Sequence, residues 1–273
     1  MRVIKINRMV LSMEEIQNWQ SQKPSLLHVT QLIDEDVMLF ENNKPILMYK
    51  KIDWDTQRLL KCCKSIRFSQ GTRSNKKIKT TSKILGYRPR FPMRDNFCSK
   101  AEYFLREPSK HEVFIHFSKQ LTTFYKKYFR TAYEGQMDLL RSKVRDEYVI
   151  TGTPFTSGIV NKNNPLAYHF DRENTKDGMS CMIVLKKGVA GGDLVIPQLD
   201  MAFKCSDNTV LLFDGQWLMH GVTDIVKDAN GYRYSIVFYN MKGMSKCLSP
   251  EEELEHYQRF LDRKNIQYGE KVY

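Results

Sequence analysis

The 273-residue sequence has no long apolar run and no leader-like start. No stretch approaches the roughly 20 apolar residues needed to cross a bilayer, and Asn7 and Arg8 interrupt the N-terminus before a signal-like apolar region could form. We therefore expect a soluble intracellular protein without a membrane partner, in the host cytoplasm if it is viral or in the nucleus if it is eukaryotic. Nothing in the sequence indicates an obligate protein partner.

The six cysteines contain no Cys-x-x-Cys pair, which argues against a structural zinc site. An intracellular compartment keeps thiols reduced, so we expect all six to be free. They are Cys62, Cys63, Cys98, Cys181, Cys205 and Cys247.

Acidic residues are absent from Thr56 to Arg94, a window that holds 12 basic residues. The other 31 basic residues balance the 31 acidic ones, so the net charge of +12 lies in this basic segment. Clustered positive charge is typical of proteins that bind nucleic acid, because neutralised phosphates release counterions. A solvated basic loop would have the same composition, and residues 71–82 are poor in apolar side chains.

The first 150 residues and the region after Ser249 contain sequence patterns typical of hairpins and helices. Two apolar runs around the turn 42–45 predict strands within residues 28–54. A capping box, apolar spacing of three and four residues, and a serine followed by proline predict helices. The predicted helices run from Ser12 to Trp19, from Ser109 to Tyr128, over Gln136–Tyr148 and from Ser249 onward. His111 and His116 have no ligand partner at suitable spacing, so we interpret them as packing or surface residues.

After Ile150 the pattern changes to short apolar runs bounded by turn residues. Such a series predicts an all-β sandwich or jelly roll, with the preceding helices on one outer face. The expected fold class is therefore mainly β with flanking helices (α+β). The predicted strands cover residues 181–185, 194–196, 210–213 and 234–239.

Three candidate metal ligands fall in this β-rich half. His169 and Asp171 are two residues apart, so in a strand or at its edge both side chains point to the same side. His220 lies 49 residues beyond Asp171, just past a strand that reads as buried. Two histidines and one carboxylate on one face of Fe(II) leave positions open for O2 and a 2-oxo acid. Zinc or manganese could use the same ligand types.

Arg233 and Ser235 give the metal site a second component. A guanidinium can hold the remote carboxylate of 2-oxoglutarate through two hydrogen bonds. Ser235 points the same way and can donate another. A site that held only zinc or manganese would leave this pair without a purpose.

With these residues in place, the chain resembles the Fe(II)/2-oxoglutarate dioxygenases, and among them the TET/JBP-like branch that oxidises the methyl group of a pyrimidine in DNA. The upstream segment 86–94 looks like a motif of phage-type members of that branch. Residues 1–82 carry no resemblance that we can name. The core match consists of Gly152–Asn163, His169-Phe170-Asp171, Gly191–Pro197, His220-Gly221-Val222 and Arg233-x-Ser235.

The resemblance implies a double-stranded β-helix (jelly roll) dioxygenase core. His169, Asp171 and His220 would bind iron, and Arg233 with Ser235 would bind 2-oxoglutarate. Asn174 lies where relatives place a polar residue that contacts the flipped base. Gly191-Gly192 would form a tight turn that brings the chain close to the site, although an ordinary hairpin turn also fits. Some relatives have a second base-contacting histidine where this chain has residues 240–243.

These observations predict two regions, an N-terminal extension of unknown role (residues 1–82) and a dioxygenase domain (residues 83–273). The predicted reaction is hydroxylation of the 5-methyl group of thymine or 5-methylcytosine in DNA with Fe(II), 2-oxoglutarate and O2. Arg88, Arg90 and Arg94 would contact phosphates beside a base that is flipped or single-stranded. The alternatives are a prolyl- or lysyl-type hydroxylase, an AlkB-like demethylase, and a non-catalytic nucleic-acid-binding jelly roll, against which the intact ligand set argues.

Overall fold

The computed structural model describes residues 1–6, 11–68, 70–73, 78–90 and 97–269. None of the helices in these ranges is both long and apolar enough to serve as a membrane span. The helices are α1 (Met13–Trp19), α2 (Gln57–Ser65), α3 (Glu102–Arg106), α4 (Pro108–Tyr128), α5 (Arg130–Lys143) and α6 (Pro250–Gly269). The strands are β1 (Arg2–Ile6), β2 (Gln31–Ile33), β3 (Val37–Glu41), β4 (Lys44–Lys51), β5 (Gln70–Arg73), β6 (Ile78–Arg88), β7 (Ser99–Lys100), β8 (Ser157–Lys162), β9 (Leu166–His169), β10 (Ser180–Gly191), β11 (Leu194–Ile196), β12 (Met201–Phe203), β13 (Thr209–Phe213), β14 (His220–Val222) and β15 (Ile225–Tyr239).

Two sheets face each other across the core. The larger sheet has the order β1-β3-β4-β13-β10-β15-β8-β6-β5, with β7 beside β6, and the smaller has the order β2-β12-β11-β14-β9. Between β8 and β15 the chain crosses repeatedly from one sheet to the other. Strands β8, β10, β13 and β15 lie in the larger sheet, and β9, β11, β12 and β14 lie in the smaller. This arrangement is the jelly roll, and it confirms the predicted fold class.

Apolar side chains fill three layers around these sheets. Neighbouring residues of a strand point to opposite faces, and both Leu211 and Leu212 of β13 are fully buried. Leu211 packs between the sheets, whereas Leu212 packs with the helices on the outer side of the larger sheet. The outer side of the smaller sheet is covered by α1, whose Ile16 packs with Tyr168. Central strands therefore read as unbroken apolar runs because both of their faces are buried.

Residues before position 82 contribute strands to both sheets. Strand β4 pairs antiparallel with β13 in the larger sheet, and β2 pairs parallel with β12 in the smaller. Strand β6 runs through the boundary predicted at residue 82 and pairs with β8. Among the described residues, strand pairing thus joins segments before position 82 to both sheets of the jelly roll.

The local predictions are confirmed in kind, with shifted bounds. The helix predicted from Ser109 begins at Pro108, a favoured first helical residue. The helix predicted over 136–148 is wrong at both ends: α5 covers Arg130–Lys143, because the backbone of Val144 is already extended. The alternative of a solvated basic loop does not hold for most of the described part of the basic segment, which forms α2, β5 and β6.

The prediction of six free thiols is wrong for one pair. Cys98 and Cys247 form a disulfide, with Cα atoms 5.8 Å apart and a sequence separation of 149. Glu253 of α6 accepts a hydrogen bond from the backbone N–H of Cys98 (3.0 Å), so the docking of this helix brings the pair together. The other four cysteines are free and buried.

His111 is a packing residue of α4, in agreement with its interpretation from the sequence. Its ring stacks on Phe104 with centroids 3.9 Å apart. Its Nε2 accepts a hydrogen bond from the backbone N–H of Gly86 (2.9 Å). Burial, reinforced by the positive charge of Lys100, lowers the pKa of His111 to about 4.

We expect His111→Gln to remove one source of acid sensitivity. Between about pH 4 and 6.5 the folded ring is neutral and the unfolded ring is protonated. Unfolding therefore takes up a proton in this window, and the free energy of unfolding falls as the pH is lowered. Denaturant titrations across the window should give the variant a pH slope smaller by about one proton. His116→Gln, at an exposed position of the same helix, is the control; equal slopes in all three proteins would contradict the prediction.

Candidate metal centre and co-substrate site

Strand pairing brings two of the candidate ligands face to face. His169 ends β9 and His220 begins β14, and the two are direct partners in the antiparallel register. The oxygens of Asp171 lie 3.6 Å from Nε2 of His169 and 3.8 Å from Nε2 of His220. The ligand atoms of all three residues lie within 4.8 Å of one another. One metal ion can therefore contact all three predicted ligands.

Backbone hydrogen bonds set the tautomer of both imidazoles. Nδ1 of His169 lies 2.8 Å from the carbonyl oxygen of Ala167, and Nδ1 of His220 lies 2.9 Å from that of Leu218. A carbonyl can only accept, so each Nδ1 carries the hydrogen. In the neutral ring the lone pair is then on Nε2, which faces Asp171. This is the form in which histidine binds a metal, and the backbone bond fixes its orientation.

The loop between β13 and β14 holds Asp171 against the imidazoles. The backbone N–H of Asp171 donates to the carbonyl oxygen of Gly215 in this loop (2.8 Å). A Cβ added at Gly215 would lie 2.6 Å from Oδ2 of Asp171 and 3.3 Å from Cε1 of His220. Glycine at position 215 therefore leaves the room that the carboxylate needs.

Asp214 shapes the same loop. Its carboxylate accepts hydrogen bonds from the backbone N–H groups of Gln216 (2.9 Å) and Trp217 (3.3 Å). Burial raises the pKa of Asp214, although these bonds favour its charged form. The turn they define leads directly into His220.

Asn174, predicted to contact the base, lies beside the metal ligands. Its Nδ2 donates to Oδ2 of Asp171 (3.4 Å) and to Oγ of Ser180 (3.1 Å). Gln216 donates in turn to the carbonyl oxygen of Asn174 (2.5 Å). The side-chain oxygen of Asn174 is the part of this amide that neither bond uses.

Arg233 and Ser235 lie on the inner face of β15. They alternate with Tyr234, which packs on the helix side of the sheet. Ser235 Oγ lies 3.5 Å from Nδ2 of Asn161, which donates to it. The Arg233 side chain is almost fully buried, and among the described residues its Nε and Nη2 have no hydrogen-bond partner.

The residues present fit Fe(II) and 2-oxoglutarate. Two imidazole nitrogens and one carboxylate form the donor set of non-haem iron oxygenases. A buried guanidinium with unpaired N–H groups is costly unless an anion binds it, and a carboxylate matches it in two-point fashion. Side-chain exposure is 30% for Asp171 but only 8% for His220, so the site opens on the Asp171 side. Zinc or manganese alone would not account for the Nε and Nη2 of Arg233, which have no hydrogen-bond partner among the described residues.

The three arginines predicted to contact phosphates have different surroundings. Arg90 forms an ion pair with the buried Glu253 (Nε–Oε1, 3.4 Å) and donates to the carbonyl oxygen of Lys246 (2.6 Å). Arg88 donates to Oγ of Ser99 (3.1 Å) and is half-buried. Arg94 lies outside the described residues. Arg90 is therefore engaged in holding α6, which the sequence did not indicate.

Several residues that support the site could not be recognised from the sequence, because their roles depend on contacts across the fold. Gly215 lies next to Asp171 because of the conformation of the loop between β13 and β14. Asn161 contacts Ser235 because β8 pairs with β15. The close approach of the chain at Gly191 and Gly192, by contrast, was indicated by the double glycine in the sequence. Both have positive φ (70° and 74°), and a Cβ at Gly192 would lie 2.6 Å from Cδ of Arg233. The double glycine thus allows the close approach that the sequence suggested.

Fold and site together define a jelly-roll oxygenase of the kind that uses Fe(II), 2-oxoglutarate and O2. The chain belongs to the Tet_JBP family, the oxygenase domain of the 2OGFeDO superfamily, whose model matches residues 90–242, more than half of the chain.

Individual relatives match over shorter stretches. The chain is 32% identical over 124 residues to the bifunctional helicase and thymine dioxygenase JBP2 of Leishmania braziliensis, covering 45% of this chain and 11% of that protein. It is 32% identical over 123 residues to the thymine dioxygenase JBP1 of Trypanosoma brucei brucei, covering 44% and 14%. The chain thus spans a small part of these relatives. NgTET1, solved in complex with 5mC DNA, has the same fold, with a TM-score of 0.64 and 12% identity over 87% of this chain and 88% of that one.

We expect Gly215→Ala to weaken metal binding without unfolding the protein. The added methyl group would displace the Asp171 carboxylate, and changes beside metal ligands typically lower metal affinity about 10–100-fold. Titration of the metal-free protein with Fe(II) under anaerobic conditions measures the effect. Gly135→Ala in α5, where a Cβ meets nothing within 4 Å, is the control. Equal affinities in both variants would contradict the proposed crowding of Asp171.

Proposed function

We propose that this protein hydroxylates the 5-methyl group of a pyrimidine in DNA, either thymine or 5-methylcytosine. Two observations in the same jelly roll carry the proposal of a 2-oxoglutarate-dependent reaction: a complete set of three metal ligands, and a buried Arg233 whose Nε and Nη2 have no hydrogen-bond partner among the described residues. The names of the relatives, two thymine dioxygenases and a TET protein bound to 5mC DNA, support the substrate. The concentration of positive charge in the basic segment supports a nucleic-acid partner.

His169, Asp171 and His220 would hold the iron, and Arg233 with Ser235 would hold the remote carboxylate of 2-oxoglutarate. When bound, the iron and the co-substrate supply the oxidising chemistry that hydroxylates a C–H bond. The protein orients both imidazoles through their Nδ1–H bonds, and Arg233 would hold the co-substrate carboxylate. The buried surroundings of His220 would exclude water, and the more exposed side at Asp171 would admit the substrate.

A base inside a duplex cannot reach metal ligands that lie between two sheets. It must be flipped out or presented on a single strand, at a cost of a few kcal/mol. Asn174 would contact the base through its side-chain oxygen, because its amide nitrogen already donates to Asp171 and Ser180. Arg88, with Arg94, would contact the phosphates, whereas Arg90 would position α6.

The exposed face of α2 is a further source of phosphate contacts within the basic segment. Arg58, Lys61 and Lys64 are all exposed on this helix, and α2 contains no acidic residue. Lys64 also lies 4.8 Å from the ring centroid of Tyr232, which neighbours Arg233 on β15. The charge of the helix thus lies next to the strand that carries the co-substrate residues.

Turnover is the first test of the proposal. DNA containing thymine or 5-methylcytosine, incubated with the protein, Fe(II), 2-oxoglutarate and O2, should yield a hydroxymethylated base by mass spectrometry. His169→Ala and Asp171→Ala should abolish this product, since each removes a metal ligand, while DNA binding stays largely intact. His116→Ala, at an exposed position on α4, serves as the matched control.

Two outcomes would overturn the proposal in different ways. Turnover retained by His169→Ala would refute the ligand assignment. If no DNA gave a hydroxymethylated base, but a peptide or an N-methylated base stimulated succinate release, the substrate would be that of a protein hydroxylase or an AlkB-like demethylase.

DNA binding is the second test. Replacing Arg58, Lys61 and Lys64 together by Gln should weaken DNA binding and reduce its salt dependence. The slope of log K against log salt should fall by about 0.7–0.9 for each phosphate that the variant no longer neutralises. Filter-binding or anisotropy titrations at several salt concentrations measure both quantities.

The matched control removes the same charge from α4. Lys119, Lys126 and Lys127 are exposed on that helix, and their replacement by Gln should have the smaller effect. Equal weakening in the two triple variants would show that only overall charge matters, and would contradict a phosphate-binding face on α2.

A further inference from the structure

Two basic side chains lie directly opposite each other inside the jelly roll. Lys186 of β10 and Arg233 of β15 are direct partners in the antiparallel register. The Lys186 side chain is only 11% exposed, and Arg233 is almost fully buried. Like charges at opposed positions of a sheet repel each other, and burial strengthens the repulsion because the local dielectric is low. This pair therefore needs a nearby acidic group.

Asp193 is the carboxylate that meets this need. Its Oδ1 lies 3.8 Å from Nζ of Lys186, and its side chain is 8% exposed. Two hydrogen bonds of 3.0 Å with Thr223 fix its backbone: the Asp193 N–H donates to Thr223 Oγ1, and the Thr223 N–H donates to the Asp193 carbonyl. Among the described residues, no ion pair within 4.0 Å joins Asp193 to Arg233. The carboxylate thus interacts with the lysine through charge, at a distance too long for a hydrogen bond, and its Oδ1 accepts no hydrogen bond from the described residues.

Lys186 also fixes the double-glycine turn against Arg233. Its Nζ donates to the carbonyl oxygen of Gly191 (2.6 Å). The next residue, Gly192, packs so closely on Arg233 that a Cβ there would lie 2.8 Å from Nε. One lysine therefore contacts both the acidic residue and the turn that shapes the surroundings of the guanidinium.

The charges of this cluster sum to one positive unit. Burial lowers the pKa of Lys186 and raises the pKa of Asp193. Whether the pair is ionic or neutral, its net charge is zero. The charge of Arg233 is then left over, and Nε and Nη2 of Arg233 have no partner in the described part of the chain. A single ligand carboxylate would neutralise the cluster.

We infer that Lys186 is a positioning residue for the co-substrate: by holding Asp193, it keeps Arg233 free for the remote carboxylate of 2-oxoglutarate. The inference rests on the proposed use of 2-oxoglutarate at Arg233. Without Lys186, Asp193 would be left to compete for the guanidinium of Arg233, whose positive charge already acts on this carboxylate. Affinity for the co-substrate is then set by the charge balance of the cluster, in addition to the contacts of Arg233.

Charge-changing variants separate this role from a purely structural one. Lys186→Met keeps the length of the side chain but leaves Asp193 to pair with Arg233, so 2-oxoglutarate should bind about tenfold more weakly or worse. Lys186→Met combined with Asp193→Asn restores a net charge of +1 and should recover affinity to within about threefold of the parent. Lys186→Arg should retain it. Lys187→Met removes the same charge at the exposed next position and is the matched control.

Binding is measured directly, by anaerobic calorimetric titration of the Fe(II)-loaded protein with 2-oxoglutarate and no DNA. The weak variant should also show a raised KM for 2-oxoglutarate with little change in kcat at saturation. Unchanged affinity in Lys186→Met, or a double variant that binds no better than Lys186→Met, would overturn the inference. Normal 2-oxoglutarate binding without any oxidised base would contradict only the proposed substrate, so the two failures are distinguishable.

Discussion

The pairing of His169 with His220 across β9 and β14 is the contact on which the candidate metal centre depends. It places two imidazoles side by side on the smaller sheet, and backbone carbonyls on both strands fix their Nδ1–H groups. Asp171 then needs only the two-residue step beyond His169 and the space left by Gly215 to complete the donor set. A slip of one residue in this register would turn one imidazole to the opposite face of the sheet and separate the ligands.

The buried charge of Arg233 is the second constraint. Buried guanidinium N–H groups without a partner are destabilising by themselves, so the unpartnered Nε and Nη2 of Arg233 among the described residues fit a site that receives an anion. The strand register places Lys186 opposite Arg233, and the carboxylate of Asp193 lies 3.8 Å from the lysine. The negative charge of Asp193 offsets part of the positive charge of these two side chains. Co-substrate recognition is thus proposed to depend on a charge cluster that spans two strands, β10 and β15, and the turn that follows β10.

Features of the fold and of the site were predictable from the sequence where they depend on residues close together in the chain. Strands such as residues 181–185 were predictable because they are buried on both faces and therefore form apolar runs. The two-residue spacing of His169 and Asp171 predicted that both side chains point to the same side. The bounds of α5, the places of β2 and β4 in the two sheets, and the disulfide between Cys98 and Cys247 were not predictable, since each depends on contacts between distant segments. The same holds for Arg90, whose partner Glu253 lies on the last helix.

The sequence by itself determined the chemistry available to this protein: the ligand types, the anchoring arginine, the membership of a β-rich fold class and the concentration of positive charge before residue 94. Those properties follow from residue identity and short-range spacing. Only the tertiary structure decided which of these groups meet. It placed Asn174 against Asp171, engaged Arg90 with Glu253, and set Lys186 opposite Arg233. The physical reason is that register and helix docking, which fix such meetings, are settled by packing across the whole core.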